Sequence, residues 1–217
     1  METHQLYPAS LHIDYPGGPR NRVSAFFRIL TIVPILIILV LLISSMLEMP
    51  LVMSENGNSE NGSVMLGISG FVVLPTVLMI LFRKKYPAWW FAWNLHMSKF
   101  IFRVLAYALL LRDEYPSTDQ EQAVHVHIAY PDAKQNLNRV LPLFKWLFAV
   151  PHYIVLALLF VIVLFVTLIA WFTILFKGQY PKDMFNFVTG TLRWILRVEA
   201  YAVLLTTDVY PPFRLEA

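Results

Sequence analysis

The chain has 217 residues, 58% of them hydrophobic and 14% charged, where an ordinary soluble domain is about half apolar and a quarter charged. That composition excludes disorder and collagen-like order, and a net charge of +3 is too mild for a nucleic-acid footprint. Without cysteine there is no disulfide framework, thiol nucleophile or thiolate metal site. A mean hydropathy of +0.59 and a pI of about 9.1 suit a membrane protein with Lys and Arg at its cytoplasmic edges.

Residues 1–23 are polar and hold a Pro16-Gly17-Gly18-Pro19 turn, without the short apolar core of a secretory signal. The first apolar run, Ala25–Ile43, is therefore expected to be kept as a span. It has 19 residues, with Arg28 near its start, close to the ~20 that a ~30 Å bilayer core requires. Pro34 lies within it, as membrane helices tolerate. The polar loop Glu48–Ser63 follows, with three acids and no Lys or Arg. Its Asn61-Gly62-Ser63 spells a glycosylation sequon, which in so Asn- and Ser-rich a loop reads as a chance match. The second run, Val64–Phe82, stops at Arg83-Lys84-Lys85. Basic residues flank both runs and are missing between them, so the positive-inside bias predicts a hairpin with both ends in the cytoplasm.

The strongest signal is an internal repeat. His12-Ile13-Asp14-Tyr15-Pro16 recurs as His127-Ile128-Ala129-Tyr130-Pro131, and Asn21-Arg22 as Asn138-Arg139. Arg28 and Pro34 recur 117 residues on, as Lys145 and Pro151. The segment from Ile80 to Pro87 recurs 94 residues on, from Ile174 to Pro181, and Arg103, Ala106 and Tyr107 map to Arg197, Ala200 and Tyr201. Each half closes on Tyr-Pro, at Tyr115-Pro116 and Tyr210-Pro211. The first half holds 23 extra residues, mainly the Glu48–Ser63 loop. The expected organisation is a first membrane repeat, 1–118, and a second, 119–217.

The second half carries Leu141-Pro142-Leu143-Phe144-Lys145-Trp146, Pro151-His152-Tyr153-Ile154-Val155, Ile169-Ala170-Trp171-Phe172 and Ile174-Leu175-Phe176-Lys177-Gly178. Phe185, Leu192-Arg193-Trp194, Arg197-Val198 and Tyr210-Pro211-Pro212-Phe213 follow. In these residues the chain resembles a bacterial membrane family, domain of unknown function 4389. The likeness covers nearly all of the second half and, through the repeat, a looser version of the first, where Trp89-Trp90, His96 and the insert depart from it. The resemblance implies a membrane location and supplies no catalytic residues.

Leu143–Phe176 is one apolar run of 34 residues, interrupted by Lys145 and His152. As a single helix it would be ~51 Å long, beyond the ~30 Å core. As a hairpin each arm has about 16 residues, near the short limit, and no Gly, Pro or Asn marks a turn near Phe160. Basic residues lie before the run (Arg139, Lys145) and after it (Lys177, Lys182, Arg193, Arg197), and the positive-inside bias puts both sets on one face. The hairpin is the expected form. A tilted single span, with Trp146 and Trp171 at opposite interfaces, is the alternative.

Lys99, Arg103 and Tyr107 are spaced i, i+4, i+8, and so are Arg193, Arg197 and Tyr201. On helices each set forms one polar stripe among apolar neighbours, the pattern of a helix lying in the membrane interface. Lys99, Arg103, Arg193 and Arg197 are the candidate anionic-lipid contacts, their stems buried and their charges reaching phosphates. Ser10–Tyr15 and Val124–Tyr130 alternate with period two and are expected as cytoplasmic strands that pair across a pseudo-two-fold axis. His12, His125 and His127 lie on them; without Cys, surface histidines are favoured over a metal set. His152 sits beside Pro151 within the apolar run and reads as bonded to a backbone carbonyl or lipid. Seven Tyr-Pro dipeptides read as hinges between surface and membrane. No phosphate-binding, dinucleotide, zincin or nucleophile-elbow motif is present.

The expected fold is an all-α integral membrane protein: a tandem repeat of a helical unit with about four spans or half-spans, two interfacial helices and short cytoplasmic extended segments. The expected location is the bacterial inner membrane, multi-pass. The expected role is a non-enzymatic scaffold or accessory subunit without cofactors, meeting anionic lipids and a protein partner or a second copy. The alternative is a small lipid-binding or transport protein working at the repeat interface, which the scarcity of polar residues in the spans disfavours.

Overall fold

The computed structural model describes residues 7–44 and 68–216; the expected Glu48–Ser63 loop with its sequon lies outside them. The elements in chain order are β1 (Ala9–Ile13), α1 (Arg22–Phe26), α2 (Arg28–Ser44), α3 (Ile68–Arg83), α4 (Ala88–Ala108) and β2 (Val124–Ile128). A 3-10 turn (Leu141–Leu143), α5 (Lys145–Phe148), α6 (Val150–Lys177) and α7 (Lys182–Ala202) complete it.

The two alternating segments pair as antiparallel strands, with Leu11 opposite Val126 at the centre and His12 opposite His125. The ladder is extended alike at both ends, by Asp14 N–H to the Ala123 carbonyl and Ala129 N–H to the Pro8 carbonyl. Ala9, Leu11, Ile13, Val124, Val126 and Ile128 face inward; Ser10, His12, His125 and His127 face out. Two strands alone are marginal in water. These are supported by the apolar faces of α4 and α7, whose Phe102, Ala106, Leu192 and Leu196 share their core.

Helices α4 and α7 start alike and end alike. Each begins after a Tyr-Pro, where the fixed φ of Pro87 (−64°) and Pro181 (−60°) sets the entry. Just past each helix stands a left-handed leucine, Leu110 (φ 60°) and Leu205 (φ 57°). A side chain in that region costs about 1–2 kcal/mol, offset here because both leucines are buried. The expectation for these helices needs correction. Their basic stripes are not open faces, since Arg103 and Arg197 are buried, and the helices are the central layer, between the sheet on one side and α2 and α6 on the other. In α7 thirteen residues are buried, including Arg197.

The expected hairpin at 143–176 is also corrected: after the 3-10 turn and α5, the run is one unbroken helix, α6. Its 28 residues make it ~42 Å long. It stops at Gly178, in the left-handed conformation at φ 71°, which closes the last turn by N–H to the Ile174 carbonyl. Among the described residues α6 is the one helix long and apolar enough to cross a membrane. Shorter apolar helical stretches run Arg28–Leu39 and Val73–Arg83. Only 11% of the most apolar 18-residue stretch of α6 is buried inside the protein.

Candidate functional site

Three of the four candidate lipid contacts use guanidinium donors within the protein. Arg103 is buried and donates from Nη1 to the Ser117 carbonyl at 2.7 Å. Arg193 donates from Nε to Leu11 of β1 at 2.9 Å and from Nη1 to Leu215 at 3.3 Å. Arg197 is 2% exposed and donates from Nη2 to the Glu216 carbonyl. Burial, with Arg214 and Arg193 nearby, pushes Arg197 down to about 10, so it still carries its charge at neutral pH. Lys99 is half-buried on α4. The stripes thus clasp loops and the C-terminal tail onto α4 and α7. Exposed basic residues flank the apolar helices: Arg83 at the end of α3 with Lys85 just after it, Lys177 at the end of α6 and Lys182 at the start of α7.

Two other clusters share one arrangement of cation, carboxylate and tyrosine ring. Arg28, at the start of α2, reaches Asp113 at 2.6 Å and sits 3.8 Å over the Tyr107 ring. Lys145, at the start of α5, reaches Asp208 at 2.7 Å and sits 5.2 Å from the Tyr201 ring. The second oxygen of each carboxylate accepts a backbone N–H, from Asn21 for Asp113 (3.3 Å) and from Asn138 for Asp208 (2.6 Å). Arg20 adds a second cation to Asp113 at 3.1 Å and donates to the Leu110 and Leu111 carbonyls. Lys145 is fully buried and also donates to the Thr207 carbonyl at 2.7 Å. Burial lowers its pKa, and the Asp208 carboxylate opposes the shift. Each cluster ties the entry to an apolar helix onto the segment after α4 or α7. A buried charge is tolerated only when paired in this way.

Sequence reasoning found Arg28 with Lys145 and Tyr107 with Tyr201, yet missed Asp113 and Asp208. Both stand two residues before the closing Tyr-Pro of their half, the signal that would have found them. The Tyr-Pro tyrosines do more than hinge. Tyr15 donates its hydroxyl to the Tyr180 carbonyl at 2.6 Å, and Tyr130 donates to the Tyr86 carbonyl at 2.5 Å.

His152, on the first turn of α6, is buried, and the partner of its Nδ1 is an indole rather than a backbone carbonyl. Its Nδ1 accepts from Trp194 Nε1 at 3.1 Å, and its ring stacks on Phe213 with centroids 4.0 Å apart. Between α4 and α7, Ser98 donates its hydroxyl to the Glu199 carboxyl at 2.7 Å, and burial raises that carboxyl to about 7. One turn before Ser98, buried Asn94 donates to the Tyr86 hydroxyl, which donates to the Leu204 carbonyl. On the open face of the sheet, Asp14 bridges His12 and His125, each at 3.2 Å. No group of three or more His, Asp or Glu side chains among the described residues is gathered to hold a metal ion. A cavity of about 320 Å³ lies where residues 15–20 meet Gln179 and Tyr180.

No curated protein and no solved structure matches the chain. Residues 141–214, from the 3-10 turn through the Lys145–Asp208 cluster to the tail over α7, match the family model described as Domain of unknown function (DUF4389), which supports that family over this stretch.

Proposed function

We propose that this protein is a non-enzymatic scaffold of the bacterial inner membrane, built from two copies of one unit. The observation that carries the reading is α6, a 28-residue apolar helix of which so little is buried. In water such a surface costs roughly 25 cal/mol per Å², and an apolar patch of this extent marks a membrane or partner contact. The twin clusters around Asp113 and Asp208, the twin left-handed leucines and the symmetric strand pair support the duplicated unit. Each unit gives the scaffold a rigid cytoplasmic layer from which its apolar helices enter the bilayer.

Anionic-lipid contact is part of the same proposal, with its residues revised. Arg103 and Arg197 are buried against backbone carbonyls, so the contacts pass to exposed Arg83, Lys85, Lys177 and Lys182, which flank the apolar helices. A basic residue near an anionic leaflet contributes roughly 1 kcal/mol. Replacing those four with Gln should lower co-purified phosphatidylglycerol and cardiolipin several-fold and leave the melting temperature near wild type. Arg103→Gln with Arg197→Gln should instead leave the lipid unchanged and lower the melting temperature. Unchanged lipid in the first variant would refute the lipid contacts. Release of the wild-type protein from membranes by alkaline carbonate would refute the embedded scaffold.

A further inference from the structure

Helix α6 packs against α7 near both of its ends and at its middle. Its first turn is tied to α7 by His152 and Trp194. Its middle, at Val163, and its last turns, at Ala170 and Ile174, share one core with Val188, Leu192 and Leu196 of α7. Its C-terminal end is fastened by Trp171 Nε1 to the Ala25 carbonyl and by Arg20 N–H to the Gly178 carbonyl. The far side of α7 packs on β1, whose sheet turns an exposed polar face outward. Moreover, α7 carries Lys182, Asp183, Arg193, Arg197 and Glu199, too many ionisable groups for a helix running through acyl chains. A helix held flush against it cannot follow the membrane normal while α7 stays out of the membrane.

We propose, on the basis of the membrane reading above, that α6 does not cross the bilayer but lies in its plane. It is sunk in the acyl layer of the cytoplasmic leaflet, with α7 and the sheet stacked on its cytoplasmic side. Its outward side chains, among them Ile154, Leu158, Phe165 and Phe172, are exposed and apolar, so the partner they fit is the acyl region of one leaflet. This placement resolves the charge conflict of the sequence. Arg139 and Lys145 before the helix, Lys177 at its end and Lys182 after it stand on one membrane face without any turn in the helix. It also removes the length problem, since ~42 Å of helix need not match a ~30 Å core.

The full chain lacks cysteine, so single cysteines at Leu158, Phe165 and Phe172 can carry nitroxides in phosphatidylethanolamine–phosphatidylglycerol nanodiscs. Successive positions are seven residues, or ~10 Å of helix, apart. Power saturation with oxygen and a nickel chelate should report equal depths for all three, within one leaflet. Depths that change by most of 10 Å per step would show a crossing helix and overturn the inference while leaving the membrane reading intact. Water-like values at all three would overturn both. Independently, cysteines at Leu147 and Gln179 should resist an impermeant maleimide in intact spheroplasts and react after permeabilisation. Labelling of one alone in intact spheroplasts would overturn the in-plane placement.

Discussion

Replacing Glu199 by Gln should abolish a pH dependence built into the α4–α7 contact. Burial raises this carboxyl from an ordinary 4.5 to about 7, against the hydrogen bond it accepts from Ser98. The folded chain therefore holds a proton that the unfolded chain releases between pH 4.5 and 7. That contribution is complete below the unfolded pKa and is lost as pH rises through 7. A shift of about 2.5 units at ~1.36 kcal/mol each sets an upper value of ~3 kcal/mol. Gln is neutral at every pH and its carbonyl oxygen still accepts from Ser98. The two proteins should melt within a few degrees of each other at pH 5. At pH 8 the variant should melt higher by up to roughly 6–12 °C, at ~2–4 °C per kcal/mol for a chain of this size. Differential scanning fluorimetry in a mild non-ionic detergent reads this directly, and subtracting the two profiles removes the histidines, which titrate in both proteins. Parallel loss of stability in wild type and variant would refute the buried-carboxyl argument.

Asp208→Ala leaves fully buried Lys145 without its carboxylate. Loss of one partner of a buried pair costs about 3–5 kcal/mol, so the melting temperature should fall sharply, and Lys145→Met in the same chain should recover most of it. Gly190→Ala would place a Cβ 2.9 Å from both Cβ and the carbonyl oxygen of Leu215. The overpacking, about 1–3 kcal/mol, exceeds the ~1 kcal/mol gained in helix propensity, so the tail should lift off α7 and be trimmed faster by carboxypeptidase.

Local pattern reached some features and stopped at others for physical reasons. The period-two strands were legible because alternate residues on a half-buried sheet must alternate in polarity, and Ala9–Ile13 and Val124–Ile128 do so. The breaks before α4 and α7 were legible as Tyr-Pro hinges, because the fixed φ of Pro87 and Pro181 interrupts the preceding helix there. The i, i+4 spacing of Arg193 and Arg197 showed that they share a face, but not what that face meets. The answer lies in β1 and the C-terminal tail, whose carbonyls at Leu11 and Glu216 take up the charge-bearing donors. Arg28 and Asp113 are 85 residues apart, so no window along the chain contains both. The course of α6 was misread because charge bias tells which side a segment's ends occupy, and a hairpin was the only arrangement considered that put both ends on one side. The absence of a turn residue near Phe160 was the better guide.

The central claim, a membrane-embedded scaffold with its sheet and α4–α7 layer on the cytoplasmic side, is tested most directly by sidedness. Single cysteines at Ser59, in the acidic loop, and at His127, on the open face of β2, would be challenged with an impermeant maleimide in intact spheroplasts. The account predicts labelling at Ser59 before permeabilisation and at His127 only after it. Labelling of His127 in intact spheroplasts, with Ser59 protected, would contradict it.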